Sequence, residues 1–470
     1  MSVMLICTLG NRDLQLSGKV IEATREKGLE IFENFDKYYP DLTYPLIRPV
    51  FRYIFEEERQ EKIGRLILVA TDQSDPAFRQ KDTIEFARVL QRIIPKEYGA
   101  KVGQIKILKI PENPTYLDAM YDFFGTTLKD NKAFKSDNVF NMEELEVCYV
   151  EQTGGIPAAN MALLYQCITR FREKCCPVNI SEKYGAVPLN FVGKVMSDRK
   201  KSILLALTDK YDYASMSIHL DEKKENERFI LKLSRYAQHR LYFDMLTART
   251  VARQAMGEFS GEKNIFGSLI SELEKIESGD YLSLILELFH NMRIKYLRQE
   301  FVDFLGRIYR FEEGVLRYII ETELGVTTKK EKSSESLTLA RYIEENSELS
   351  DFIRSQKTPD GEAVDASKHG LPRFNACLNY LIVEKGKDEY KAVYEIFRKF
   401  IQLINIRNKS IIGHGFEGVS EEIIKENYGG DVLEDLKSVV SLILKKSGQE
   451  SEIDPFEKIN RILIERIRQL

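Results

Sequence analysis

From residue 1 to about residue 200 the chain alternates short aliphatic runs with longer mixed segments. The runs are Val3–Leu9, Leu66–Ala70, Ile105–Ile110, Val147–Val150 and Leu189–Val192. Apolar runs of this length read as strands covered on both faces. Between them, Phe86, Val89, Leu90 and Ile93 recur at intervals that share one helix face. Strand, helix, strand in that order predicts a doubly wound, Rossmann-like α/β domain with a parallel sheet over residues 1–200.

Beyond residue 200 the strand signal fades. Phe229–Gln254, Ile265–Glu277 and Tyr281–Gly325 read as long amphipathic helices with little Gly or Pro, which gives a helical middle region over 201–327. The Lys- and Ser-rich stretch Thr327–Glu335 reads as an exposed linker, and a second helical domain follows over 328–470. Within that domain Ser355–Pro372 is irregular, carrying Gly, Pro and Asp. The expected class is therefore α/β followed by all-α. No repeat of fixed period points to a solenoid or propeller.

Charge narrows the partners. Lys+Arg 69 against Asp+Glu 73 leaves a net charge of −4, so no overall positive field draws the chain to nucleic acid or anionic lipid, and any such contact is local. The apolar runs fall far short of the roughly 20 residues that cross a bilayer. No basic region precedes Val3–Leu9 and no small-residue cleavage pattern follows, so a cytoplasmic location is expected. Six Cys, three of them inside apolar segments, read as free thiols. The pair Cys175 and Cys176 lacks the spacer and the nearby His of a zinc site, so no metal is expected.

In an open parallel sheet, ligands collect beyond the carboxyl ends of the strands. Three such ends are small or polar: Gly10, Asn11, Arg12 and Asp13; Thr71, Asp72, Gln73 and Ser74; and Thr153, Gly154 and Gly155 after Glu151 and Gln152. The third runs through Ile156, Pro157 and Ala158 into an apolar helical pattern, where exposed amides and small side chains suit a phosphate or a ribose edge. The dinucleotide fingerprint G-x-G-x-x-G is missing after the first strand, which speaks against an NAD-dependent enzyme.

A second constellation lies on a helix expected from about Tyr390 to Gly415. Its apolar seam runs Val393, Phe397, Phe400, Ile404 and Ile411, and steps of seven from Phe400 land on Arg407 and His414. Seven residues fall about 20° short of two turns, so on one continuous helix the pair shares a face, about 10 Å apart along the axis. Singly, the His reads as a cap and the Arg as a surface ion. Together with Asn408, on a seam that otherwise holds aliphatic residues, they read as functional, because buried unpaired charge is costly. Arg, Asn and His suit attack of a ribose 2′-hydroxyl on its own phosphodiester. His transfers the proton, Arg stabilises the phosphorane, and the product ends in a 2′,3′-cyclic phosphate without a divalent ion. DNA lacks the nucleophile.

The segment from Arg407 to His414, Arg-Asn-Lys-Ser-Ile-Ile-Gly-His, resembles the R-x(4–6)-H signature of HEPN ribonucleases. The loop Thr153-Gly154-Gly155, with Leu9 to Asp13 after the first strand, resembles the ligand loops of CARF domains. That order, CARF first and HEPN last with helices between, is similar to the ancillary ribonucleases of type III CRISPR systems. The resemblance implies a homodimer whose paired CARF domains bind a cyclic oligoadenylate, tetra- or hexa-adenylate, and whose composite HEPN site then cuts single-stranded RNA with little sequence demand. It implies Arg407 as electrostatic stabiliser, His414 as proton-transfer group and Asn408 as positioning residue. Gly10, Asn11, Arg12, Thr71, Asp72, Gln73, Thr153, Gly154 and Gly155 become the activator contacts, and some relatives also degrade their activator there. Cofactors are otherwise not implied. The competing reading is a non-catalytic nucleotide-sensing regulator, which would have no need of Arg407 and His414.

Overall fold

The computed structural model describes residues 2–137, 140–328, 337–358, 361–448 and 454–470. Two compact units make up the chain, Met1–Arg199 and Lys200–Leu470.

In the first unit β1 (Ser2–Thr8) is the central strand. The short β2 (Gln15–Leu16), β3 (Lys19–Val20) and β4 (Leu42–Thr43) form a separate antiparallel sheet that the apolar pattern did not announce. Then come β5 (Ile63–Thr71), β6 (Val102–Ile110), β7 (Leu145–Glu151), β8 (Cys175–Ser181) and β9 (Gly185–Pro188). The main sheet has the order β6-β5-β1-β7-β8-β9, parallel except for the last pair. Along β1, Val3, Leu5 and Cys7 enter one core while Met4 and Ile6 enter the other. The first core takes Phe86, Val89, Leu90 and Ile93 of the helix Ile84–Tyr98, and the second takes the helices Leu117–Asp130 and Pro157–Phe171. Burial on both faces is why β1 and β5 read as nearly unbroken apolar runs, whereas β6, at the sheet edge, carries Lys106 and Lys109.

One expected strand is corrected. Leu189–Val192 straddles a turn and the start of the helix Phe191–Asp209, and the strand beside β7 is instead β8. A four-residue apolar run is too short for its period to separate strand from helix. In β8, Pro177 and Asn179 dilute the signal.

The second unit is helical, and its longest expected helices are broken. Phe229–Gln254 divides into Glu225–Leu241 and Met245–Glu258, and Tyr281–Gly325 into Tyr281–Leu297 and Phe301–Leu324. Neither break uses Gly or Pro. Phe243 and Gln299 take positive φ of 61° and 60°, and Asp244 caps the new helix by accepting from the Thr247 amide at 3.1 Å. One hydrophobic core runs from Leu282 to Leu444, across residue 327. A second joins residues 204–294 to the last helix, Pro455–Arg468. Residues 329–335 of the Thr327–Glu335 stretch lie outside the described residues.

All six Cys are free thiols. Among the described residues no helix is long and apolar enough to cross a membrane, and no three His, Cys, Asp or Glu groups cluster as metal ligands.

Candidate functional site

The sheet order reverses between β1 and β7, and the loops that leave their carboxyl ends meet there. Gly155 has φ of 72°, and a Cβ on it would lie 2.5 Å from the Thr8 side chain. Gly10 presses on the Gly155 amide nitrogen from the other loop, where a Cβ would come within 2.9 Å. Bare backbone from both loops therefore forms one wall of a cavity of about 280 Å³.

Hydroxyls complete that wall. Thr8, Thr24, Thr71 and Thr83 line it together with Asn11 and Lys81. Thr71 and Thr83 hold each other, each amide donating to the other's Oγ1 at 3.1 Å. Thr8 Oγ1 is buried with no partner among the described residues. The helix Pro157–Phe171 starts at the same place without a side-chain cap, so its first amides remain open to an acceptor. The set suits phosphate or ribose oxygens.

Below the loops lie two buried carboxyls. Glu151 Oε1 accepts from the Thr153 amide at 2.5 Å and the Gly154 amide at 3.0 Å, and Asp13 Oδ2 accepts from the Gly10 amide at 2.7 Å. Burial pushes the Glu151 carboxyl up to about 7 against the pull of those amide bonds. Asp13 is raised well above the usual carboxylate range, first by burial and then by the charge of Glu151. The pair staples both loops at an electrostatic cost.

Of the residues expected here, Gly10, Asn11, Thr71 and Gly155 line the cavity. Arg12 is exposed and is not part of the wall. Gly154 is turned down onto Glu151, and Thr153 Oγ1 accepts from the Ile180 amide at 2.7 Å. Asp72 pairs with Arg25 and Lys109, and Gln73 is tied to Asp82. The loop pattern missed Thr8, Thr24, Lys81 and Thr83, which come from a strand end, a helix start and the approach to another helix.

The second constellation is built differently from the helical seam. The helix ends at Lys409, not Gly415. Ser410 is buried, its amide reaches the Ile406 carbonyl at 3.1 Å, and its hydroxyl donates to the Arg407 carbonyl at 2.7 Å. The chain then doubles back: the Gly413 amide donates to Ser410 O at 3.0 Å, His414 to Asn408 O at 2.8 Å, and Glu417 to Lys409 O at 3.0 Å. A Cβ on Gly413 would overlap the Asn408 carbonyl, and one on Gly415 the Lys409 carbonyl.

His414 is thus held against Arg407–Asn408 by a pinned turn, and the shared-face geometry is overturned. The seam is buried at Val393, Phe397 and Phe400, but Ile411 is 71% exposed. Arg407 is half-buried, with its Nε unpartnered among the described residues, its Nη1 donating to Asn408 Oδ1 at 3.2 Å, and its guanidinium 5.8 Å from the Tyr309 ring. Asn408 and His414 face solvent. A cation and an imidazole on one fixed turn, open to the outside, can meet a phosphodiester.

Fold and sites define the class: a Rossmann-like α/β unit followed by a helical unit that carries an R-x(6)-H turn. More particularly, residues 274–436, which include that turn, match the family model described as the Csm6 HEPN domain. In fold the chain is similar to Enterococcus italicus Csm6 bound to cyclic hexa-2′-fluoro-hexa-dAMP, with a TM-score of 0.61 at 14% identity, covering 99% of this chain and 100% of that one. No curated protein sequence matches the chain. The resemblance to the CARF–HEPN ancillary proteins of type III CRISPR systems holds, by family model over the HEPN part and by fold over the whole.

Proposed function

We propose that this protein is a cyclic oligoadenylate-activated, metal-independent endoribonuclease of type III CRISPR defence, which cuts single-stranded RNA to 2′,3′-cyclic phosphate ends. Residues 1–200 sense the activator, and the helical part cuts, with 201–327 between the sensor and the motif-bearing 328–470. The reading rests above all on the Arg407–His414 turn inside the HEPN match.

The chemistry follows from the side chains. The 2′-hydroxyl of the substrate attacks its own phosphorus and the 5′-oxygen of the next nucleotide leaves. His414 moves the proton at the entering or leaving oxygen, and Arg407 stabilises the charge that grows on the phosphorane. Asn408, already accepting from Arg407, orients the guanidinium. The nucleophile is an ordinary ribose hydroxyl held next to its target, so proximity replaces a metal-activated water. One chain carries one Arg407 and one His414, and a homodimer brings two sets together.

The crevice at Gly10 and Gly155 takes the cyclic oligoadenylate, its hydroxyls and open helix amides meeting phosphate and ribose oxygens. The test is cleavage of a labelled single-stranded RNA in EDTA, with and without cyclic tetra- or hexa-adenylate. Stimulated cutting is expected with one of the rings, and its absence with both refutes the proposal. Arg407→Ala and His414→Ala should each lower the stimulated rate by roughly 10²–10³-fold or more while activator binding, followed by calorimetry, is kept. Lost binding in these variants would mean a damaged fold.

A further inference from the structure

A cavity of about 640 Å³ lies along the helix that ends at Lys409. Tyr394, Arg398, Asn405 and Asn408 line it from that helix, spaced by four, seven and three residues and so sharing one face. Asn408 accepts from Arg407, so one end of the cavity is the proposed cutting site. Nothing in the function above uses the rest.

The other walls hold Glu312, on the helix Phe301–Leu324, and Asn375, on the helix Leu371–Val383. Glu312 is only 3% exposed. Its Oε1 accepts from Asn375 Nδ2 at 2.9 Å, while its Oε2 is buried and has no partner among the described residues. Burial pushes this carboxyl up to about 7, and the Asn375 bond pulls it back only in part. A buried acceptor left without a donor is costly, and a structural core would be better served by an aliphatic side chain. The position makes sense where the donor arrives with a ligand.

We infer that this cavity is a nucleobase subsite for the RNA strand beside the scissile bond, in which Glu312 reads the N–H donors of the entering base. Guanine offers two adjacent donors, N1–H and the N2 amine. Uracil offers N3–H between two carbonyl oxygens, which a carboxylate repels. Tyr394 supplies a ring for stacking, and Arg398, exposed and without a carboxylate partner among the described residues, meets the phosphate of that nucleotide. Guanine is therefore favoured over uracil at one fixed position relative to the cut, by about fivefold or more.

The inference rests on the ribonuclease reading, so its test has two arms. The first maps activator-stimulated cuts in a randomised-sequence RNA by sequencing, for the wild type and for Glu312→Gln. The Gln variant keeps an oxygen for Asn375 and presents an amide donor where Oε2 stood, so the guanine-to-uracil ratio should fall to near one or invert. That ratio is internal to each reaction and does not depend on the total rate. Wild-type cutting whose ratio is the same in Glu312→Gln overturns the subsite and leaves the nuclease standing. The second arm needs no cutting: 3′-GMP and 3′-UMP are titrated against the full-length proteins by ligand-observed NMR. A GMP preference that Glu312→Gln removes supports the subsite even if no RNA is cut, and equal binding of both nucleotides to the wild type overturns it. Asn405→Ala, at an exposed position on the cavity wall where the fold is not at risk, should weaken 3′-GMP binding as well.

Discussion

The Glu151 carboxyl beneath the crevice at Gly10 and Gly155 makes a stability prediction with a definite sign. Its value moves from an ordinary 4.5 to about 7 on folding. A shift of that size corresponds to about 3 kcal/mol, at 1.36 kcal/mol for each pH unit. Because the folded value is the higher one, the favourable contribution is complete below about 4.5 and is lost as pH rises through about 7. Above that, the folded unit holds a buried carboxylate next to Asp13, itself raised by burial and by Glu151. Glu151→Gln keeps one oxygen for the Thr153 and Gly154 amides and removes the charge. The variant should therefore be more stable than the wild type at pH 8, by up to about 3 kcal/mol, and should have no such advantage at pH 5. For a unit of this size each kcal/mol moves the midpoint by about 2–4 °C, so the gap at pH 8 reaches several degrees. The chain has no Trp, so scanning calorimetry at pH 5, 6, 7 and 8 is the suitable assay. A difference between the two proteins that does not change with pH refutes the reasoning, as does a wild type that is the more stable of the two at pH 8.

Two further outcomes concern the Arg407–His414 turn. Gly413→Ala places a methyl group against the Asn408 carbonyl, so RNA cutting should collapse while the calorimetric midpoints hardly move, since Ile411, Ile412, His414 and Phe416 are exposed and Gly413 lies outside the hydrophobic cores; retained cutting would mean that the turn does not position His414. Phe416 is 96% exposed and Ile411, five residues earlier, 71% exposed, apolar side chains that a second copy would cover, so Phe416→Asp should convert a dimer to a monomer in sedimentation. A wild type that sediments as a monomer would remove the composite site from the proposal.

How much of this was legible in the sequence depends on what each residue's surroundings must supply. β1, β5 and β7 could be read because a strand buried on both faces has to be apolar at successive positions, and Val3–Cys7, Leu66–Ala70 and Val147–Val150 are. β8 could not, because Pro177 and Asn179 sit in a strand whose pairing, not its composition, keeps it in the sheet. The helix breaks at Phe243 and Gln299 were hidden for a related reason. A bulky or polar residue in the left-handed region gives no sequence signal, and only the following Asp244 cap marked one of them.

The Arg407–His414 motif divides along the same line. Arg407, Asn408 and His414 were found by identity and spacing, yet the geometry that spacing implied was wrong, since periodicity carries no stop sign. The stop was present as chemistry: Ser410 turns its hydroxyl back onto the Arg407 carbonyl, and Gly413 and Gly415 are the residues that let the backbone lie against its own helix end. Ile411, read as seam, is exposed because the seam has already ended. Glu312 shows the opposite limit. In Phe311-Glu312-Glu313-Gly314 it looks like one of two surface charges, and Glu313 does pair with Arg310 and Arg317. Only the packing of three helices separates the Glu held by two arginines from the one enclosed beside a cavity with an oxygen to spare, so a residue of the kind proposed to read a base can be found only after the core is built.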